Sequence, residues 1–240
     1  MSDAPRGTLY GIGVGPGDPE LMTMKAHRLI ASARILAYPA PDSGTSFARS
    51  IAAGAIRADA VEIPMVVPMR VARFPAQDVY AGAAETIAGH LAAGEDVAVL
   101  CEGDPFFYGS FMYLFARLSA RFPCEIVPGV SSLAACSAAL ARPLTARNDV
   151  LTVIPGPVDD DALRARIEGA EAIAIMKVGR HLPRIRALLD DMDLTARAGY
   201  VERASLSEQR VMPLAEAPEG APYFSMILIY KGNDPWLTHP

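Results

Sequence analysis

The chain has 240 residues, 51% hydrophobic and 20% charged, enough for one large domain or two moderate ones with separate cores. A formal net charge of −5 excludes a nucleic-acid binder that works through overall positive charge. No apolar stretch is long enough to span a membrane and the N-terminus MSDAPRGT lacks a signal-peptide layout, so the expected setting is the cytoplasm.

The cysteines, Cys101, Cys124 and Cys136, are odd in number, widely spaced and set in apolar surroundings, which fits buried thiols in a reducing compartment. His27, His90, His181 and His239 fall at no ligand spacing, so no metal site is expected.

TLYGIGV is expected as the first strand and PELMTMKAHRLIAS as the helix after it. Between them lies GVGPGDPE, with glycines at 11, 13, 15 and 17. A dinucleotide turn needs G-x-G-x-x-G, yet the third required position is Pro16 counted from Gly11 and Asp18 counted from Gly13. No Lys-Ser or Lys-Thr pair follows, so a P-loop fails too. Asp18 as N-cap, Pro19 as first helical residue and Glu20 in the first turn account for a strand-to-helix turn. Four alternating glycines exceed that need and suit close backbone approach to a ligand without phosphate.

ARILAYP and AVEIP follow as strands, AQDVYAGAAETIAGHLAAG as a helix and EDVAVLCE as the next strand. At its end stands CEGDPFFYGSFMY, where Asp104 is either a turn cap or an acceptor for an amine or ribose hydroxyl. CEIVP is a further strand, and VPGVSS then repeats the arrangement of strand, glycine turn and serines at a helix start. The second half reads DVLTVIPG, EAIAIMK, RAGYVERA, RVMPL and YFSMILIYK as strands, with HLPRIRALLDDM as a helix. Strands joined by helices imply an α/β class with parallel sheet, and the crowding of the last three strands implies a mixed second sheet. All three glycine turns sit at carboxyl ends of strands, where open α/β sheets gather ligands.

In that order, GVGPGDPELMTMKA, CEGDPFFYGSFMY and VPGVSSLAACSAALARPL resemble the tetrapyrrole methylases, over about residues 8 to 230. The resemblance implies two αβα domains, residues 1–128 with a parallel sheet and 129–240 with a mixed one, the cofactor in the cleft between them, and a homodimer. It implies S-adenosylmethionine as methyl donor, a tetrapyrrole as substrate and no metal. Position by position, it places Pro16, Gly103, Asp104, Phe107, Ser131, Ser132, Met176 and Ala204 against the donor, although Met176 alone reads as core packing. Glu102 and Tyr108 flank the central loop and are candidate proton acceptors. The middle motif is most similar to members that methylate a bridge carbon of a corrin precursor.

Members that methylate uroporphyrinogen are thought to use an aspartate at the end of the second strand as base, and Pro39 stands there. Proline cannot move a proton, which points to a later step in the pathway. A substrate rich in carboxylates needs local arginines, and Arg180, Arg147, Arg70 and Arg73 are the candidates, each of which also fits a solvated surface charge. Two other possibilities stay open: a methylase acting on another ring carbon or a cobalt-loaded ring, and a non-catalytic S-adenosylmethionine-binding module. On the same expectation, Gly103→Val abolishes donor binding and leaves the fold intact.

Overall fold

The computed structural model describes residues 6–67 and 74–232, so Arg70 and Arg73 lie outside the described residues. The chain divides into two compact units, Met1–Ser131 and Ser132–Pro240. The division falls just past the expected seam, because Gly129 is held by backbone and side-chain contacts to earlier loops of the first unit.

In the first unit, β1 (Leu9–Gly13), β2 (Ile35–Ala40), β3 (Val61–Val66), β4 (Val97–Cys101) and β5 (Cys124–Val127) form one sheet in the order β3-β2-β4-β1-β5. Every pairing is parallel. The helices are α1 (Met24–Ser32), α2 (Phe47–Ala52), α3 (Phe74–Ala92) and α4 (Phe111–Leu118). Alternate strand residues serve opposite faces. Leu9, Val97 and Val99 pack with Ile87 and Leu91 of α3 and Leu114 of α4, whereas Ile12, Leu36 and Leu100 pack with Ile30 of α1 and Ile51 of α2. Both faces are therefore buried, as a parallel sheet requires.

The second unit has α5 (Ser132–Ala139), β6 (Leu151–Pro155), α6 (Asp160–Glu168), β7 (Ala172–Met176), α7 (Leu182–Asp191), β8 (Ala198–Glu202), β9 (Arg210–Pro213) and β10 (Ser225–Tyr230). Its order is β6-β7-β10-β8-β9, with β6 and β7 parallel and the remaining pairings antiparallel. β10, almost wholly buried, runs down the centre between β7 and β8. Ile173, Ile175 and Ile227 face α6 and α7 through Leu163, Ile167 and Ile185. The parallel first sheet and mixed second sheet agree with the sequence.

The segment PELMTMKAHRLIAS is not one helix. A 3-10 turn over Pro19–Leu21, with Asp18 accepting the Glu20 amide at 2.8 Å, stops at Met22. Thr23 then accepts the Ala26 amide at 3.1 Å and caps α1 afresh. Two consecutive capping residues divide what hydrophobic spacing alone joins. No helix among the described residues is long and apolar enough to cross a membrane.

Gly11 lies in the middle of β1 directly under the Phe111 ring; a Cβ added there falls 2.6 Å from Phe111 Cδ1. Gly11→Ala is therefore an overpacking change, expected to cost about 1–3 kcal/mol. Phe111→Leu also destabilises by leaving space. The double variant is expected to lose at least about 0.5 kcal/mol less than the sum, since the smaller side chain makes room for the methyl. Urea denaturation of the four proteins measures this, and strict additivity would show that the two residues do not compete for one volume.

Candidate active site

The strand order brings β4, β1 and β5 side by side, so the three glycine turns that follow them are neighbours although far apart in sequence. Beyond the strand ends the backbone continues to pair. The Val14 amide donates to the Cys101 carbonyl at 2.9 Å, and the Gly103 amide donates to the Gly15 carbonyl at 2.8 Å. An isolated antiparallel bridge, Gly15 to Gly103, results.

This pairing explains most of the glycines. A Cβ on Gly13 falls 2.5 Å from the Gly103 oxygen and 2.6 Å from the Gly129 nitrogen, and a Cβ on Gly129 falls 2.9 Å from the Gly13 Cα. Gly15 needs its positive φ of 85°. Gly103 is different: at φ 62° a Cβ there has only the Val130 oxygen near it, at 3.9 Å. The first turn is expected to clear space for a ligand, yet protein fills that space at Gly11 and Gly13; open space is found instead at Gly103 of the second loop. That φ also makes Gly103→Val a strained substitution for the fold itself, contrary to the expectation that the fold is left intact.

Asp104 binds the second loop to the third. Oδ1 accepts the Phe106 and Phe107 amides at 2.9 and 3.0 Å, which is the turn-capping role, and Oδ2 accepts the Gly129 amide at 3.1 Å. The chain then passes through Tyr108, a non-glycine residue at φ 55°, and a close turn at Gly109. Phe107 is partly buried, edge-on to the Tyr108 ring at 5.1 Å. Pro16 lies in the bend after Gly15, and Ser131 and Ser132 stand where the third loop enters α5; all three are partly exposed.

Glu102, the first residue beyond β4, is partly buried. Burial raises its pKa above the ordinary glutamate value, partly offset by the backbone N–H groups of its own residue and of Ala48 in α2. Pro39, at the end of β2, supports the same region: its carbonyl accepts the Ser46 hydroxyl at 2.5 Å, and Ser46 caps α2. Sequence reading missed this Ala48 amide, because nothing in FARSIA announces a helix aimed at another strand's glutamate.

In the second unit, β7 ends at Met176 and β8 at Glu202, flanking the start of β10, with Met176 opposite Met226 and Glu202 opposite Ser225. Met176 and Ala204 are both buried. Lys177, Arg203 and Ser205 hold positive φ values of 57°, 47° and 67° at this sheet end. Non-glycine residues in that region carry strain, and such strain clusters at functional sites. Glu202, buried to 2% exposure, accepts the Tyr200 hydroxyl at 2.8 Å and an Arg210 N–H at 3.4 Å. Its role was not legible either.

Arg180 is exposed, in the 3-10 turn Gly179–His181 just beyond β7, and Arg147 is exposed in the loop before β6. Burial, then the Arg184 and Arg180 guanidiniums, hold His181 below the ordinary histidine value, so it adds no cation at neutral pH. Among the described residues no three His, Cys, Asp or Glu side chains are grouped to hold a metal ion.

The Asp104 clamp has a direct readout. Hydrogen bonds to a charged group contribute about 1.5–3 kcal/mol each, without simple additivity. Asp104→Ala is expected to destabilise the first unit by about 2–3 kcal/mol and to speed amide exchange at Phe106, Phe107 and Gly129. Asp104→Asn, keeping one carbonyl oxygen, should restore protection at Phe106 and Phe107 more than at Gly129. Unchanged exchange at Gly129 in Asp104→Ala would remove the clamp.

Residues 8–218 match the family model described as Tetrapyrrole (Corrin/Porphyrin) Methylases. The chain is 42% identical to the precorrin-2 C(20)-methyltransferase of a Sinorhizobium species, covering 98% of this chain and 99% of that one. It is 30% identical to the cobalt-precorrin-2 C(20)-methyltransferase of Salmonella typhimurium, covering 94% and 97%. Among solved structures, its fold is similar to uroporphyrin-III C-methyl transferase from Thermus thermophilus complexed with S-adenyl homocysteine. That match has a TM-score of 0.66 at 24% identity, over 92% of this chain and 97% of that one.

Proposed function

Because this chain belongs to the tetrapyrrole (corrin/porphyrin) methylases, we propose that it methylates precorrin-2 at C20, a bridge carbon, giving precorrin-3A in cobalamin synthesis. The observation that carries this reading is the near-complete match to the Sinorhizobium enzyme of that specificity. The Salmonella relative, less similar, makes a cobalt-loaded ring the second reading. A non-catalytic binding module has less support, since all three loops are retained.

The proposed methyl donor is S-adenosylmethionine, which supplies a carbon bound to a positively charged sulfur. The fit rests on Gly103, whose open side and left-handed backbone leave a place where only a glycine lets a ligand come close. Pro16, Gly103, Asp104, Phe107, Ser131 and Ser132 are the proposed contacts on the loops, with Met176 and Ala204 in the second unit. Asp104 acts there by holding the backbone of two loops in register. Fixing a reactant in reacting geometry can supply about 7–11 kcal/mol of a barrier at best.

Precorrin-2 carries eight carboxylates, and Arg180 is the proposed partner for one of them. A homodimer is also proposed; Val61 and Val66, 54% and 46% exposed on the edge strand β3, are apolar edge positions that a partner would cover.

Calorimetry should show binding of S-adenosylmethionine and S-adenosylhomocysteine and none of NAD, since the ribose acid and third dinucleotide glycine are missing. With carbon-13-labelled donor and precorrin-2, magnetic resonance should place one new methyl at C20. Uroporphyrinogen III should stay unmodified, with wild type and with Pro39→Asp alike. A label on a peripheral pyrrole carbon sinks the C20 assignment.

Arg180→Ala should raise KM about 10-fold or more, the loss of one charge-assisted hydrogen bond, with kcat little changed. An unaltered KM in steady-state assays would return Arg180 to the solvated surface.

A further inference from the structure

We propose that Glu102 is the group that takes the proton released from the methylated carbon. The inference rests on C20 methylation as proposed above and adds the missing proton acceptor. The donor's methyl–sulfur bond breaks with its electron pair left on sulfur, and a methyl–C20 bond forms from the ring's π electrons. C20 then carries both methyl and hydrogen. The C20–H pair returns to ring conjugation, and the proton passes to a Glu102 oxygen.

Placement is the first support. Glu102 follows the last residue of β4, the central strand, and precedes Gly103, which has open space on its Cβ side. It shares the face of Leu100, toward α1 and α2, and is neither sealed nor fully exposed. Tyr108, the other candidate, is 43% exposed on the far side of the Asp104 turn.

Partners are the second support. The groups that favour its ionised form are backbone N–H groups, of its own residue and of Ala48, and no cationic side chain pairs with it among the described residues. Arg49, next along α2, is committed to Glu62 through bonds of 2.6 and 2.7 Å. The other titratable groups around it are Tyr80 of α3, Cys101 of β4 and Asp104, while Asp18 of the first loop accepts the Glu20 amide. None of these is a cation that would hold Glu102 ionised and weaken it as a base. A carboxylate lifted by burial is a better acceptor near neutral pH than an exposed one.

The sign follows. The ionised form works, so activity is lost as pH falls through a pKa lying above the ordinary glutamate value of about 4.3. The test combines turnover, followed by S-adenosylhomocysteine release from precorrin-2, with a titration of ligand-free protein labelled with carbon-13 at glutamate carboxyls. Expected are an acid limb in wild-type kcat and one carboxyl resonance, absent in Glu102→Gln, that titrates above the ordinary range. Glu102→Gln should lower kcat about 100-fold or more and lose the limb, with donor affinity within about twofold of wild type by calorimetry. Glu102→Asp should fall between. A wild-type profile with no acid limb, a Glu102 resonance in the ordinary range, or Glu102→Gln turnover within threefold of wild type each overturns the proposal alone. Wild-type protein that transfers no methyl to precorrin-2 overturns the substrate reading, and this proposal with it.

Discussion

Three backbone segments meet within van der Waals distance at Gly13, Gly103 and Gly129, and the arrangement of the loops in the first unit hangs on that meeting. Parallel strands normally end in loops that diverge. Here the bridge from Gly15 to Gly103 carries the pairing past the strand ends, and Asp104 ties the result to the third loop. The ends of β4, β1 and β5 thereby become one continuous surface of main-chain atoms. Side chains would only separate them.

Consequences spread outward from this contact. The sharp exit at Gly103 sets the place of Glu102 on one side and Asp104 on the other. The Asp104 turn in turn forces Tyr108 into a left-handed backbone before α4 begins. Across β2, Pro39 contributes a carbonyl that anchors the Ser46 cap, and the helix so placed presents the Ala48 amide to Glu102. Residues that look unrelated in the sequence serve one local geometry.

Much of the architecture was legible. Each of the ten strands among the described residues corresponds to an apolar run; the central ones, buried on both faces, need no alternation to be visible, while the edge strands β3 and β9 are largely exposed. The division of PELMTMKAHRLIAS was not, since Thr23 looks like any helical threonine until its oxygen is seen on the Ala26 amide. The glycine-rich turn was read as clearing space for a ligand, whereas at Gly11 and Gly13 the space a side chain would take is filled by protein. The distinction needed the strand order, which sets β1 between two strands about ninety and a hundred and fifteen residues further on. Asp104 was legible as a turn residue, yet its second bond, to Gly129, depends on that same long-range order. Glu202 and the Ala48 amide gave no local signal at all.

The glycine contact also bears on how such a protein can change over generations. An interface made of main-chain atoms specifies no side chain; it specifies the lack of one at three positions at once. At Gly13 and Gly129 a substitution meets backbone that cannot yield, and at Gly103 it meets the left-handed φ, so no series of small replacements leads away from the arrangement. Residues 106 and 107 beside it are under no such steric constraint, one facing outward and the other half outward. Heritable variety in what is methylated therefore has its freest room at the flanks of an immovable centre.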